Sequence, residues 1–224
     1  VNRVPFYGLA ILCLDNQHVQ AIIPRVTRRH VTYGLSAQAE YRARNVELRG
    51  MSSMFEVVRR GDVLGNVTLN MVGIHNVQNA LSVVALADEL EIPFERTAAA
   101  MSTFGGVQRR FTVRGDVNNT LVVDDYGHHP TEILATLKGA RQTFPDRRLG
   151  VLFQPHRYTR TRDLLEEFAT CFNDADVVVV TDIYAASEDP IEGVSGEGLA
   201  SAIKAHGHRD ARYLTRKDLT AQTL

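Results

Sequence analysis

Apolar residues cluster in this chain with a period that changes three times. Tyr7 through Leu14 is a short, nearly unbroken apolar run that stops at Asp15-Asn16. A run without alternation predicts a strand covered on both faces, and Asp15 is placed to cap a helix reaching about Arg25. Val31 through Gly34 reads as the next strand, so the chain opens as a βαβ unit. From Tyr41 to Leu69 apolar and polar positions alternate, with Arg59-Arg60-Gly61-Asp62 as a turn, which predicts antiparallel strands with one wet face. Ala80, Val83, Val84, Ala87 and Leu90 then recur at three- and four-residue spacing and predict a helix from Asn76 to Leu90. A second helix opens at Pro93 and ends at Gly105-Gly106.

Beyond that glycine pair the pattern restarts as β-β-α-β-α-β-α-β. Strands are expected near 111–116, 120–125, 149–154, 177–181 and 211–214. Helices are expected near 130–142, 161–173 and 195–206. Strands alternating with amphipathic helices imply an α/β fold, here a Rossmann-like domain with a mainly parallel sheet and helices on both faces. The domain boundary is placed near Gly105-Gly106, giving 1–105 and 106–224. No internal repeat or low-complexity tract interrupts either part.

Composition narrows the classes. The 224 residues are 44% hydrophobic and 23% charged, as in ordinary globular proteins. A net charge of -1 offers no broad attraction to nucleic acid or to an anionic membrane, so any basic site must be local. No apolar stretch approaches the roughly 20 residues of a membrane-spanning helix. Cys13 and Cys171 both lie in apolar runs and read as buried free thiols, which suits a reducing cytoplasm. Both ends read as cut from something longer: Val1 stands where an initiator Met is expected, and Leu219 to Leu224 carry no closing strand or cap.

In open α/β sheets ligands gather beyond the carboxyl ends of strands. Three such ends carry polar clusters here: Asp124 to Pro130, Gln154 to Arg162, and Thr181 to Pro190. All three are expected on one edge of one sheet. Arg157, Arg160 and Arg162 bring guanidinium forks to one loop and helix start, where carboxylate and phosphate are natural ligands. Arg162 is as well explained by a solvated helix start. His128 and His129 point different ways on extended backbone and have no partner at zinc spacing, so a metal role is not expected. One is read as an anion or amine contact and the other as a packed polar residue. Asp124 and Asp125 likewise face apart; one is expected to hold a ligand hydroxyl and the other to order the loop. Asn76 taken alone reads as a helix cap, but Asn79 one turn later lets two amides present themselves together, as a nucleobase edge requires. Arg109-Arg110, at the junction of the two parts, read as surface charge when taken alone.

Taken in order, Gly73-Ile74-His75-Asn76-Val77-Gln78-Asn79-Ala80, Arg109-Arg110-Phe111, Asp125-Tyr126-Gly127-His128-His129-Pro130-Thr131-Glu132 and Gln154-Pro155-His156-Arg157-Tyr158-Thr159-Arg160-Thr161 resemble the Mur ligases. Tyr184 to Glu188 fits as well. The resemblance covers the chain as the later part of a central ATP-binding domain, residues 1–105, followed by the amino-acid-binding C-terminal domain, residues 106–224. It is strongest toward the branch that joins L-alanine to the carboxylate of UDP-N-acetylmuramate through an acyl phosphate, in peptidoglycan precursor synthesis. It implies ATP and Mg²⁺ as cofactors, with Asn76 and Asn79 at adenine, Asp125 at the ribose and Arg110 toward the terminal phosphate. Tyr126 and His128 would meet the incoming L-alanine, and Arg157 and Arg160 the substrate carboxylate or the acyl-phosphate region. The catalytic set so implied is Arg110, His128 and Arg157, with Arg109 as an aid to aligning the nucleophile.

The chain departs from the family in one respect: no G-x-x-x-x-G-K-[ST] phosphate loop occurs in it. By resemblance that loop and the Mg²⁺ ligands lie upstream of Val1, and the chain alone is expected to be inactive. Two rivals remain: a murein peptide ligase attaching a recycled tripeptide, and a non-catalytic nucleotide-binding module. Oligomeric state is not legible.

Overall fold

Ten strands and seven α-helices follow one another in a computed structural model that describes residues 1–220. Of the closing segment read as uncapped, residues 221–224 lie outside the described residues. The chain divides into two compact units, Val1–Val107 and Gln108–Leu224.

The first unit holds one five-stranded sheet in the order β1-β2-β3-β4-β5, formed by Ala10–Cys13, His30–Gly34, Tyr41–Arg49, Ser52–Arg59 and Asp62–Leu69. Its first three strands run parallel and its last three antiparallel, so the change of period near Tyr41 marks a change of strand direction. Helix α1 (Gln17–Ile22) joins β1 to β2. Asn16, not Asp15, caps it, its side chain accepting from the N–H groups of His18 and Val19. Asp15 instead reaches the end of β2, where it accepts from the N–H groups of Leu35 (2.7 Å) and Ser36 (3.0 Å). Gly34 makes room for it, because a Cβ there would stand 2.6 Å from Asp15 Oδ1.

Helix α2 (Ile74–Glu89) lays Val77, Leu81 and Val84 against Phe55, Val57 and Val67 of the sheet, and all six are essentially solvent-free. Each such side chain contributes about 1.5–3 kcal/mol relative to exposure. The helix begins earlier than expected, with Gly73 at its cap position (φ 90°), so Asn76 lies inside the first turn and is not the cap. Helix α3 (Phe94–Thr103) follows Pro93 and covers β5. Gly65 permits that approach, since a Cβ on it would stand 2.8 Å from the Phe94 ring.

The second unit opens with a hairpin, β6 (Thr112–Val117) and β7 (Thr120–Asp124), closed by Asn118 and Asn119. Both asparagines have positive φ (50° and 62°), the conformation that a two-residue hairpin turn demands. After helix α4 (Pro130–Thr143) come three parallel strands in the order β10-β9-β8: β8 is Gly150–Phe153, β9 is Val177–Val180 and β10 is Ala211–Tyr213. All four valines of β9 are buried, as a strand covered on both faces requires. Val178, Val180, Phe153, Phe168, Phe172, Leu199 and Ile203 form the core.

The unit differs from the sequence expectation in two ways. β7 pairs only with β6, so the three polar strand ends leave two sheets, not one edge of one sheet. The helix expected over 161–173 is two short ones, α5 (Tyr158–Asp163) and α6 (Leu165–Thr170), broken at Leu164. Helix α7 (Gly196–Ala205) starts at Ser195, whose hydroxyl accepts from Gly198 N–H.

Candidate active site

The loops after β7, β8 and β9 meet around His156. Its ring lies 5.9 Å from that of His128 and 5.4 Å from that of Tyr184, centroid to centroid. Tyr126 packs edge-on against His128 at 5.1 Å, and the Arg109 guanidinium sits 4.7 Å above the Tyr126 ring. Arg160 Nη1 donates to the His156 carbonyl at 3.3 Å and lies 3.2 Å from His156 Nδ1. Burial, then the charges of Arg160, Arg157 and His128, push the His156 imidazole below its ordinary value. It is therefore neutral near pH 7 and able to face a guanidinium as an acceptor.

Of the four side chains expected at the substrate, His128 and Arg160 thus meet at the His156 ring, and Tyr126 joins them through His128. Arg157 belongs to the same loop but turns to the Tyr184–Glu188 segment, its Nη1 lying 3.9 Å from Glu188 Oε1. Arg162 is paired with Asp163 at 2.7 Å, the solvated alternative. The loop after β7 is held by its own acids. Glu132 Oε2 accepts the N–H groups of His128 (3.1 Å) and His129 (3.3 Å). Burial raises the Glu132 carboxyl, but these donors and the nearby cations outweigh it and hold the group below its ordinary value. His129 Nδ1 accepts from Thr131 N–H and completes a capping box at the start of α4. The two adjacent histidines therefore divide their work: His129 caps a helix and His128 faces the cluster.

The paired aspartates divide less as expected. Asp124 pairs with Arg114 at 2.8 Å and, more distantly, with Arg109 at 3.7 Å. The hydrogen bond to Arg114 is the main reason its carboxyl sits below the ordinary value. Asp125 spends both oxygens on the loop itself, accepting Phe111 N–H at 2.9 Å and Gly127 N–H at 2.7 Å. A ligand hydroxyl would have to share that carboxylate. Arg110 is exposed, with Nη1 3.7 Å from Glu132 Oε1.

In the first unit Asn76 Nδ2 donates to Val72 O at 2.8 Å, and Asn79 Nδ2 lies 3.5 Å from Asn76 Oδ1. The two amides do sit together at the start of α2, with Asn79 exposed. Among the described residues no group of three or more His, Cys, Asp or Glu gathers as a metal site. Cys13 and Cys171 are both free, and burial pushes the Cys171 thiol up to about 12.

The Mur ligase middle domain matches residues 1–87, and the glutamate ligase domain of Mur ligases matches residues 109–224. The chain belongs to the Mur ligase family. Relatives include the UDP-N-acetylmuramate–L-alanine ligase of Sorangium cellulosum, 57% identical over 96% of this chain and 46% of its own length. The enzyme of the same name from Myxococcus xanthus is 56% identical over 100% of the chain and 47% of its own length. The chain thus spans about half the length of the curated relatives it matches. Among solved structures, UDP-N-acetylmuramate-alanine ligase from Thermotoga maritima superposes with a TM-score of 0.69 at 30% identity, covering 85% of this chain and 41% of that one. A murein peptide ligase from Psychrobacter arcticus gives 0.68 at 26%, covering 96% and 45%. The α/β architecture is that of Mur ligases.

Sequence reasoning passed over three residues of this Mur ligase cluster. His156 lay inside a quoted motif but was overshadowed by its arginine neighbours. Glu132 follows His129 by three residues, the capping-box interval, which was a usable signal. Glu188 stood inside the third polar strand end, but its own task had no local signal, because its partner Thr159 is 29 positions away.

Proposed function

We propose that this chain is the part of a UDP-N-acetylmuramate–L-alanine ligase that receives the amino acid and contributes to the nucleotide site. The whole enzyme would join L-alanine to the muramic acid carboxylate of UDP-N-acetylmuramate in peptidoglycan precursor synthesis, in the cytoplasm where its ATP is available. ATP supplies the phosphoryl group that turns that carboxylate into an acyl phosphate. The observation that carries the reading is the meeting of His128 and Arg160 at His156, with Tyr126 packed against His128 and Arg157 on the same loop as Arg160. Two guanidinium groups and aromatic rings with hydrogen-bonding tips suit a small amino acid: the forks take its carboxylate, and the aromatic side faces its amine end.

Each side chain then has a task. Arg157 and Arg160 hold the carboxylate of L-alanine and fix its orientation. His128, steered by its contact to Tyr126 O at 3.0 Å, faces the attacking amine. Tyr126 walls the pocket under the Arg109 guanidinium, and Arg110 is the cation assigned to the transferred phosphate. Asn76 and Asn79 are assigned to the adenine edge, and Asp125 to the ribose through the sharing noted above. Murein peptide ligase shares the fold, but relatives that are 56–57% identical carry the L-alanine name.

The test puts Arg157→Ala and His128→Ala into the full-length enzyme and measures each substrate separately, with a tripeptide as competing amine donor. Both variants are expected to lose L-alanine use by about 100-fold or more in kcat/KM, with ATP binding kept. Loss of ATP binding alone in both variants would refute this placement, and a wild type that prefers the tripeptide would replace the substrate.

A further inference from the structure

The loops after β8 and β9 are not independent. The parallel ladder from Gly150↔Val177 to Phe153↔Val180 continues past the strands as an isolated bridge between His156 and Tyr184. Three backbone bonds carry it: Thr181 N–H to Phe153 O (2.9 Å), Tyr184 N–H to Pro155 O (2.8 Å) and Arg157 N–H to Tyr184 O (2.8 Å). Beyond this zipper one side chain takes over. Glu188 Oε2 accepts Thr159 N–H at 3.0 Å, and its Oε1 accepts the Thr159 hydroxyl at 2.7 Å while lying 3.9 Å from Arg157 Nη1.

The backbone on both sides is held in an unfavourable conformation. Arg157 has φ 75°, and Ala186 and Ser187 have φ 49° and 69°, none of them glycine. Such residues are strained and persist where neighbouring contacts leave no alternative. A helix cap alone would need only the Thr159 bonds. The shared oxygen facing Arg157 adds a second task. We propose that Glu188 is a positioning residue for the amino-acid end of the site, locking the two loops together so that the segment carrying Arg157 and Arg160 is held in one conformation. Glu188 itself touches no substrate; it acts through Thr159 and Arg157. This inference rests on the amino-acid pocket proposed above.

The experiment compares Glu188→Ala and Glu188→Gln in the full-length enzyme, with KM for L-alanine, ATP and UDP-N-acetylmuramate measured separately. Glutamine keeps a two-point contact to Thr159, its amide oxygen accepting the N–H and its amide nitrogen donating to the hydroxyl, but loses the charge that faces Arg157. The alanine variant is expected to raise KM for L-alanine about tenfold, and the glutamine variant about threefold to fivefold, with the KM for ATP unchanged. A rise of about threefold or more confined to L-alanine supports the inference; a smaller rise, or one shared by ATP, overturns it. If the alanine variant does not fold, the glutamine variant alone carries the same criterion. A wild type that makes no L-alanyl product sinks the functional reading and this inference with it. A working wild type beside unaffected variants sinks this inference alone.

Discussion

Two polar networks in this molecule use the same residue types to opposite ends. In the first unit Tyr41 donates to Asp88 at 2.5 Å, Arg59 pairs with Asp88 at 2.6 Å, and Arg29 grips Glu89 through two bonds of 2.5 and 2.7 Å. Arg60 reaches Glu40 at 2.8 Å. Each of these cations has its own carboxylate, and the network answers itself. Around His156 the balance is different. Arg157 has one distant carboxylate, Glu188, at 3.9 Å, while Arg160 makes do with an imidazole and a carbonyl. A cluster whose positive charge exceeds its internal partners is one whose remaining partner comes from outside. Arginine, tyrosine and acid together do not mark a site; the unbalanced remainder does.

The sharpest way to break that comparison is to remove one charged partner from each network. Arg160→Ala in the full-length enzyme is expected to lower kcat/KM for L-alanine about 100-fold while the thermal midpoint stays within a few degrees of wild type. Asp88→Ala is expected to do the reverse. It should destabilise the fold by about 1–2 kcal/mol in denaturant titrations, leaving KM values unchanged, because it strands the Tyr41 hydroxyl and the Arg59 guanidinium together. An Asp88 variant that loses L-alanine use at full stability would erase the distinction.

Acid sharpens it further. Burial raises the Asp88 carboxyl, but the Tyr41 and Arg59 contacts outweigh burial and hold it below its ordinary value. Its phenol partner is pushed up to about 12, by burial first and then by Asp88. A carboxyl depressed in the folded state stabilises the fold above its unfolded value, and that contribution is lost as pH falls through the folded value. Stability of the wild type should therefore fall below about pH 4 more steeply than that of Asp88→Asn. Equal slopes in acid denaturation curves would show that Asp88 carries no such role.

The smallest expected effect concerns the paired histidines. His129→Ala removes a helix cap and is expected to cost about 1 kcal/mol, with KM for L-alanine changed less than twofold. His128→Ala should show the converse, and similar kinetics in the two variants would undo the division between cap and contact.

Much of the fold was written in the periodicity. The change from an apolar run to alternation located the switch from parallel to antiparallel pairing near Tyr41, and the turn at Arg59–Asp62 stands as read. What failed were choices between neighbours of equal local chemistry. Asp15 and Asn16 both suit a cap, and only the contact of Asp15 with the backbone beyond β2 separates them. The sheet membership of β7 could not be read, because strand order along the chain does not encode hydrogen-bond partners. Asn76 was misplaced by three residues because Gly73, with no side-chain oxygen, leaves no cap signature. In the candidate site the polar loops were visible as clusters, whereas Glu188 is meaningful only once a distant threonine is beside it.

The bridge between His156 and Tyr184 has an engineering consequence. The strand ladder pairs residues 27 apart, but the bridge pairs residues 28 apart, so one extra residue is taken up on the β9 side between Val180 and Tyr184. Lengthening or shortening one loop would shift this meeting point and turn the opposing ring away. Segments 154–160 and 181–188 therefore form a single cassette: transplanted together into another scaffold of this fold they keep their alignment, and transplanted singly they lose it.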